Sequence, residues 1–161
     1  MGNSKNFGWK LSRYIFNKNF SFNRQNIINV CGEKNIIDAY KKISAWKDYN
    51  TTPLIELKKL SDNLKLKNIF YKDESKRFHL KSFKALGGAY AVERVKEGKK
   101  NITVSTATAG NHGRSVAWGA QRLGLKCKIF ISEYVSDARA EEMRKLGAEI
   151  IRVKGNYEKS L

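Results

Sequence analysis

The sequence predicts an α/β fold built on a parallel, doubly wound sheet. Two observations carry this. From residue 68 onwards, β-prone runs and helix-patterned runs alternate with short connections and no internal repeat. The turn from the 101–107 run into the next helix is crowded with Thr and Gly (Thr106, Thr108, Gly110 and Gly113), and in such sheets ligands bind beyond the carboxyl ends of the strands.

The first thirty or so residues mix aromatics, asparagines and cations without a clean period and read as an extended, partly irregular arm. NIIDAYKKISAWKDY follows, with Ile36, Ile37, Tyr40 and Ile43 at helical spacing and Asn35 as N-cap, until Pro53 ends the pattern. NIFYK (68–72) is the first strand, and SFKALGGAYAVERVKEG is a helix closed by Gly98. NITVSTA (101–107) is the second strand, and NHGRSVAWGAQRLG is a helix that stops at Gly124. KCKIFIS (126–132) is the third strand, SDARAEEMRKLG a helix capped by Ser136 or Asp137, and AEIIRV (148–153) the fourth strand. NYEKSL opens a further helix, so the alternation stops in mid-pattern and the sheet is expected to be truncated.

A chain of 161 residues can bury one adequate core. Its 32 Lys and Arg against 15 Asp and Glu give a formal +17, which raises the question of a polyanion partner. The cations are spread over every segment, and no nucleic-acid-binding motif accompanies them, so a lysine-rich solvated surface is expected and nucleic acid is not. Cys31 and Cys127 lie far apart with no C-x-x-C or His-rich context, so neither a disulfide framework nor a zinc site is suggested, and a reducing cytosol fits. MGNSKNFGWK lacks the apolar core of a signal peptide, and Asn6 stands where a myristoylation signal has Ser or Thr. No apolar run is long enough for a membrane span, so a soluble cytoplasmic protein without metal or membrane partner is expected.

Two strand-to-helix junctions carry the chemistry. In ESKRFHLKSFKALGGAYA, Lys84 opens a helix beside Ser82 and Phe83 and before Gly87 and Gly88. An electropositive helix N-terminus favours the neutral amine, the form that attacks an aldehyde. Paired glycines cost helix propensity and point to a close approach of a ring or another backbone. A solvated lysine and a helix-packing Gly-Gly are the plain alternative. In STATAGNHGRSVAWGA, Thr106, Thr108, Gly110, Asn111 and Gly113 crowd the turn into the next helix, where free N–H groups can cradle a carboxylate or phosphate. Neither the G-x-G-x-x-G nor the P-loop spacing is present, and His112 alone reads as structural.

Together the two junctions are specific. SFKALGGAYA followed by ATAGNHG resembles the fold-type-II, tryptophan synthase β-like enzymes that depend on pyridoxal 5′-phosphate (PLP). Within that group, RFHLKSFKALGGAYAV, GNHGRSVAWGAQRLG and RAEEMRKLGAEIIRVKGNY look most like diaminopropionate ammonia-lyase, over about residues 50 to 161. The resemblance implies that Lys84 carries PLP as a Schiff base and then serves as the base at Cα. It implies that Ser82 and Phe83 shape the pocket, that Asn111 hydrogen-bonds the 3′-oxygen of PLP, and that the Thr108–Ala109–Gly110–Asn111–His112 turn holds the substrate carboxylate. The implied reaction is α,β-elimination of 2,3-diaminopropionate to pyruvate and ammonia, in a homodimer when the enzyme is full-length. Residues 1–50 become an arm and helix on the large-domain side, and 51–161 a partial catalytic domain that includes the start of the small domain.

Two departures matter. Ala109 stands where these ammonia-lyases commonly have an Asp thought to act on the D-isomer, and Ala is the dehydratase residue. The family's phosphate-gripping glycine-rich loop and pyridine-nitrogen contact lie downstream of Leu161. The 161-residue chain alone is therefore expected to be inactive and marginally stable. A threonine or serine dehydratase, an inactive fragment or pseudoenzyme of the same fold, and a basic binding module are the competing readings.

Overall fold

The computed structural model describes residues 23–108 and 110–161. Compactness divides the chain within helix α2, between Ile36 and Ile37. In the first unit, Arg24–Cys31 forms a two-turn helix, α1, capped by Asn23, whose side chain accepts from the Gln25 amide at 2.8 Å. The irregular arm read from the sequence is thus helical over this stretch; its part before Asn23 lies outside the described residues. Gly32, at φ 74, separates α1 from α2, Glu33–Ser44. Asn35 is therefore inside α2 rather than its N-cap, and its side-chain amide donates to the Cys31 carbonyl at 3.0 Å.

After the remainder of α2, the second unit continues with a small antiparallel pair. Strand β1, Leu54–Glu56, runs into helix α3, Lys58–Leu64, and then strand β2, Phe70–Lys72, which returns along β1. The NIFYK run does form a strand, yet it stands outside the parallel sheet. Its nearest β-prone neighbour is the three-residue β1, and a short helical link can return a strand antiparallel without a long crossover.

The parallel sheet contains β3, Thr103–Ala107, β4, Lys126–Ser132, and β5, Ala148–Val153, side by side in chain order. Between them lie α5, Asn111–Arg122, and α6, Asp137–Arg144. Among the described residues the winding runs in one direction. Strand β4 turns Cys127, Ile129 and Ile131 to a buried face, while Lys128 on the other face pairs with Glu149 of β5 at 3.3 Å. Helices α5 and α6 both meet the buried face. A Cβ built on Gly113 of α5 would lie 2.6 Å from Met143 Sδ of α6, so only glycine allows this approach. Helix α4, Lys84–Lys96, packs on α5, burying Ala85, Gly88, Ala89 and Val92. The expected fourth helix is a single 3-10 turn, Tyr157–Ser160. Because the three strands are parallel, the loops that follow them gather at one end of the sheet.

Candidate functional site

The loop that delivers Lys84 is strained and firmly anchored. Phe78, His79 and Lys81 have φ of 44, 59 and 57. A side chain in this left-handed region costs on the order of 1 kcal/mol or more and persists only where packing fixes it. The anchors are visible. The buried Phe78 ring lies 4.6 Å from Trp118 and 5.8 Å from Trp46, centroid to centroid. Trp46 is itself held, donating from Nε1 to Glu93 at 2.8 Å while the Arg122 guanidinium sits 4.1 Å over its ring.

Arg77 supplies the polar anchor. Its buried guanidinium donates to Glu74 at 2.8 Å, to the Asn50 carbonyl at 2.7 Å and to Thr52 Oγ1 at 3.0 Å. Thr52 donates in turn to Glu74. The Arg77 guanidinium is the largest of the influences that hold the Glu74 carboxyl below the usual carboxylate range. The chain then enters α4, where the Lys84 amide donates to Ser82 Oγ at 3.3 Å.

The turn after β3 is organised by Thr108. Its amide donates to the Phe130 carbonyl at 3.0 Å, extending the ladder beyond β3. Its buried Oγ1 accepts from the amides of Gly110 at 3.1 Å and Gly113 at 3.3 Å. Thr108 therefore caps α5 and takes up two of the turn's donors itself. Asn111 and His112 occupy the first positions of α5, where amides have no intrahelical acceptor and point outward at the positive end of the helix.

The two junctions meet. Lys84, Ala107, Thr108, Gly110, Asn111, His112 and Tyr157 line one hollow of about 410 Å³ at the carboxyl end of the sheet. Lys84, Asn111 and His112 are exposed within it. Of the other residues singled out in the sequence, Ser82 is buried behind the Lys84 amide. Phe83 is 64% exposed and does not line the hollow. Ala109 lies outside the described residues.

Tyr157 was not singled out. It arrives on the turn after β5, fixed by Ser132 Oγ donating to the Gly155 carbonyl at 2.5 Å and by the Gly155 amide donating to Glu133 at 2.7 Å. Its position after a parallel strand is the signal that could have found it. A more apolar groove of about 460 Å³ runs between α4 and the edge of β3, but it offers mainly aliphatic walls.

A primary amine, a carboxamide and outward amides at a helix N-terminus form a donor set suited to an aldehyde-bearing anionic ring and a carboxylate. The hollow is of a size that small cofactors occupy. The family model "Pyridoxal-phosphate dependent enzyme" matches residues 45–161. The chain belongs to this family of PLP-dependent enzymes.

Among curated PLP enzymes, the diaminopropionate ammonia-lyase of Salmonella typhimurium is 41% identical, over 69% of this chain and 33% of that enzyme. The biosynthetic L-threonine dehydratase of Escherichia coli is 34% identical over 76% of this chain. The crystal structure of Escherichia coli diaminopropionate ammonia-lyase in apo form superimposes with a TM-score of 0.71 at 38% identity, covering 76% of this chain and 37% of that one. The chain thus spans about a third of the length of the ammonia-lyases it matches. Its α/β architecture is the tryptophan synthase β-like one that the motifs implied. Among the described residues no helix is long and apolar enough to cross a membrane.

Proposed function

We propose that this chain is the N-terminal portion of a PLP-dependent ammonia-lyase acting on 2,3-diaminopropionate, with Lys84 as the lysine that carries the cofactor. The observation that supports it best is the meeting of Lys84 with Asn111 and His112 in one hollow, in a chain whose ammonia-lyase relatives are about 40% identical. When bound, PLP supplies an electron sink for the negative charge that develops at Cα.

The residues of this chain do the rest. Lys84 Nζ holds the cofactor and, once released, takes the proton from Cα. The outward amides of Asn111 and His112 grip the substrate carboxylate, while Thr108 keeps the turn in shape from behind. The Asn111 side chain would meet the ring's 3′-oxygen, and Tyr157 lines the same hollow. Loss of the β-amino group gives an enamine that hydrolyses to pyruvate and a second ammonia. Residues 51–161 serve as the partial catalytic domain and 1–50 as an arm on the large-domain side. A homodimer in a reducing cytoplasm belongs to the same reading, and both cysteines are free.

Ala109 favours a second reading, a serine or threonine dehydratase, because the ammonia-lyase carboxylate is missing there. Turnover by the protein expressed from its gene separates the two. Two ammonia per pyruvate from 2,3-diaminopropionate, abolished in Lys84→Ala, supports the lyase. One ammonia per oxoacid from serine or threonine, with diaminopropionate inert, supports the dehydratase.

A further inference from the structure

Lys84 is gripped from a second helix. Ser115 Oγ, on α5, donates to the main-chain carbonyl of Lys84 at 2.5 Å, and Ser115 has no exposed surface. The carbonyl of a first helical residue ordinarily accepts from the amide four residues on, here Gly88. The serine hydroxyl is a second donor to that oxygen. A buried serine inside a helix usually returns its hydroxyl to the carbonyl four residues back along its own helix. Ser115 instead reaches across to α4.

The room for this contact comes from Gly88. A Cβ built there would lie 2.8 Å from Ser115 Cβ and closer still to its Oγ, so the second glycine of the pair is a notch that receives the serine. Gly87 has nothing within 4 Å of such a Cβ and takes no part. One turn along, Gly119 meets Ala89 with the same closeness, which continues the small-residue contact between α4 and α5. Ser115 lies three and four residues after His112 and Asn111, so one helix end carries both the turn lining the hollow and the hydroxyl holding Lys84.

We propose that Ser115 is a positioning residue: its hydrogen bond to the Lys84 carbonyl, seated in the Gly88 notch, fixes the first turn of α4 in register with Asn111 and His112. The functional half of this rests on Lys84 being the cofactor lysine; the hydrogen bond does not. Ser115→Ala removes the donor and keeps the space, and it leaves no orphan because the Lys84 carbonyl retains the Gly88 amide. Gly88→Ala keeps the donor and fills the notch.

Two measurements on the 161-residue chain decide it. In amide hydrogen exchange, Ser115→Ala raises exchange at Gly88 and Ala89 about tenfold, the weight of one hydrogen bond, and leaves Val92–Lys96 unchanged. No change, or an equal rise along all of α4, overturns the positioning role. In borohydride trapping of PLP, wild type places the pyridoxyl group mainly on Lys84, and both variants spread it over other lysines at unchanged far-UV circular dichroism. Trapping on Lys84 that both variants leave intact also overturns it. Trapping away from Lys84 in wild type sinks the cofactor reading, and the exchange experiment then judges the hydrogen bond alone.

Discussion

Replacing Gly119 by alanine tests how closely α4 and α5 must approach for the two site junctions to share one hollow. A Cβ at Gly119 would lie 2.8 Å from Ala89 Cα and 3.3 Å from the Ala89 carbonyl oxygen. These are backbone atoms that cannot turn aside. Ordinary carbon contacts need about 3.5–4.0 Å, so the helices must part by about 1 Å. Overpacking of this kind costs about 1–3 kcal/mol, and alanine returns about 1 kcal/mol of helix propensity. The net expectation is destabilisation by about 1 kcal/mol. Gly87 provides the internal control, because a Cβ there meets nothing within 4 Å. Gly87→Ala should stabilise by about 0.5–1 kcal/mol from propensity alone. Urea midpoints read by tryptophan fluorescence suit the comparison, since Trp46 and Trp118 lie beside this contact. Shifts of equal size and sign for the two variants would refute the close-approach argument.

Three more predictions concern the anchors and the thiols. Arg77→Met strands the Glu74 carboxylate among buried groups and should cost about 3 kcal/mol in urea unfolding, with Arg77→Met/Glu74→Met recovering part of it. The Glu74 carboxyl binds its proton less readily in the folded chain, chiefly through Arg77. Its contribution is therefore full above the ordinary Glu value of about 4.3 and is lost as pH falls through the depressed folded value. Glu74→Gln should flatten the acid limb of stability against pH, and an unchanged limb would assign it to other groups. Burial pushes the Cys127 thiol up to about 11, whereas Cys31 is exposed. A thiol reagent at neutral pH should titrate Cys31 at once and Cys127 only as the chain unfolds.

Much of this architecture was legible because it is written locally. Strands β3, β4 and β5 and helices α4, α5 and α6 each combine a periodic pattern with an end signal, such as Gly98 after α4 or Gly124 after α5. Helix α1, strand β1 and its antiparallel pairing with β2 were not legible, although the NIFYK run itself reads as a strand. The pair consists of two three-residue strands with every residue exposed, so no alternation marks them, and their register comes from each other. At the site, the residue types at each junction pointed to Lys84 and to the Asn111–His112 turn. What remained hidden depends on distant partners. Thr108 belongs to the turn expected to hold a carboxylate through backbone amides; its hydroxyl accepts from Gly110 and Gly113, and its own amide donates to Phe130. Phe83, next to the lysine in sequence, is largely exposed and does not line the hollow. The meaning of Gly88 is set by Ser115, twenty-seven residues further along, and no local pattern contains it.

The central claim is that Lys84 is the lysine prepared to hold PLP. Borohydride reduction of the chain mixed with a slight excess of PLP, followed by peptide mapping, tests it most directly. The account predicts one dominant pyridoxyl-lysine, at Lys84, which Lys84→Ala removes without transferring it to another site. An adduct spread evenly over surface lysines, with Lys84 no more modified than Lys81 or Lys96, would contradict it.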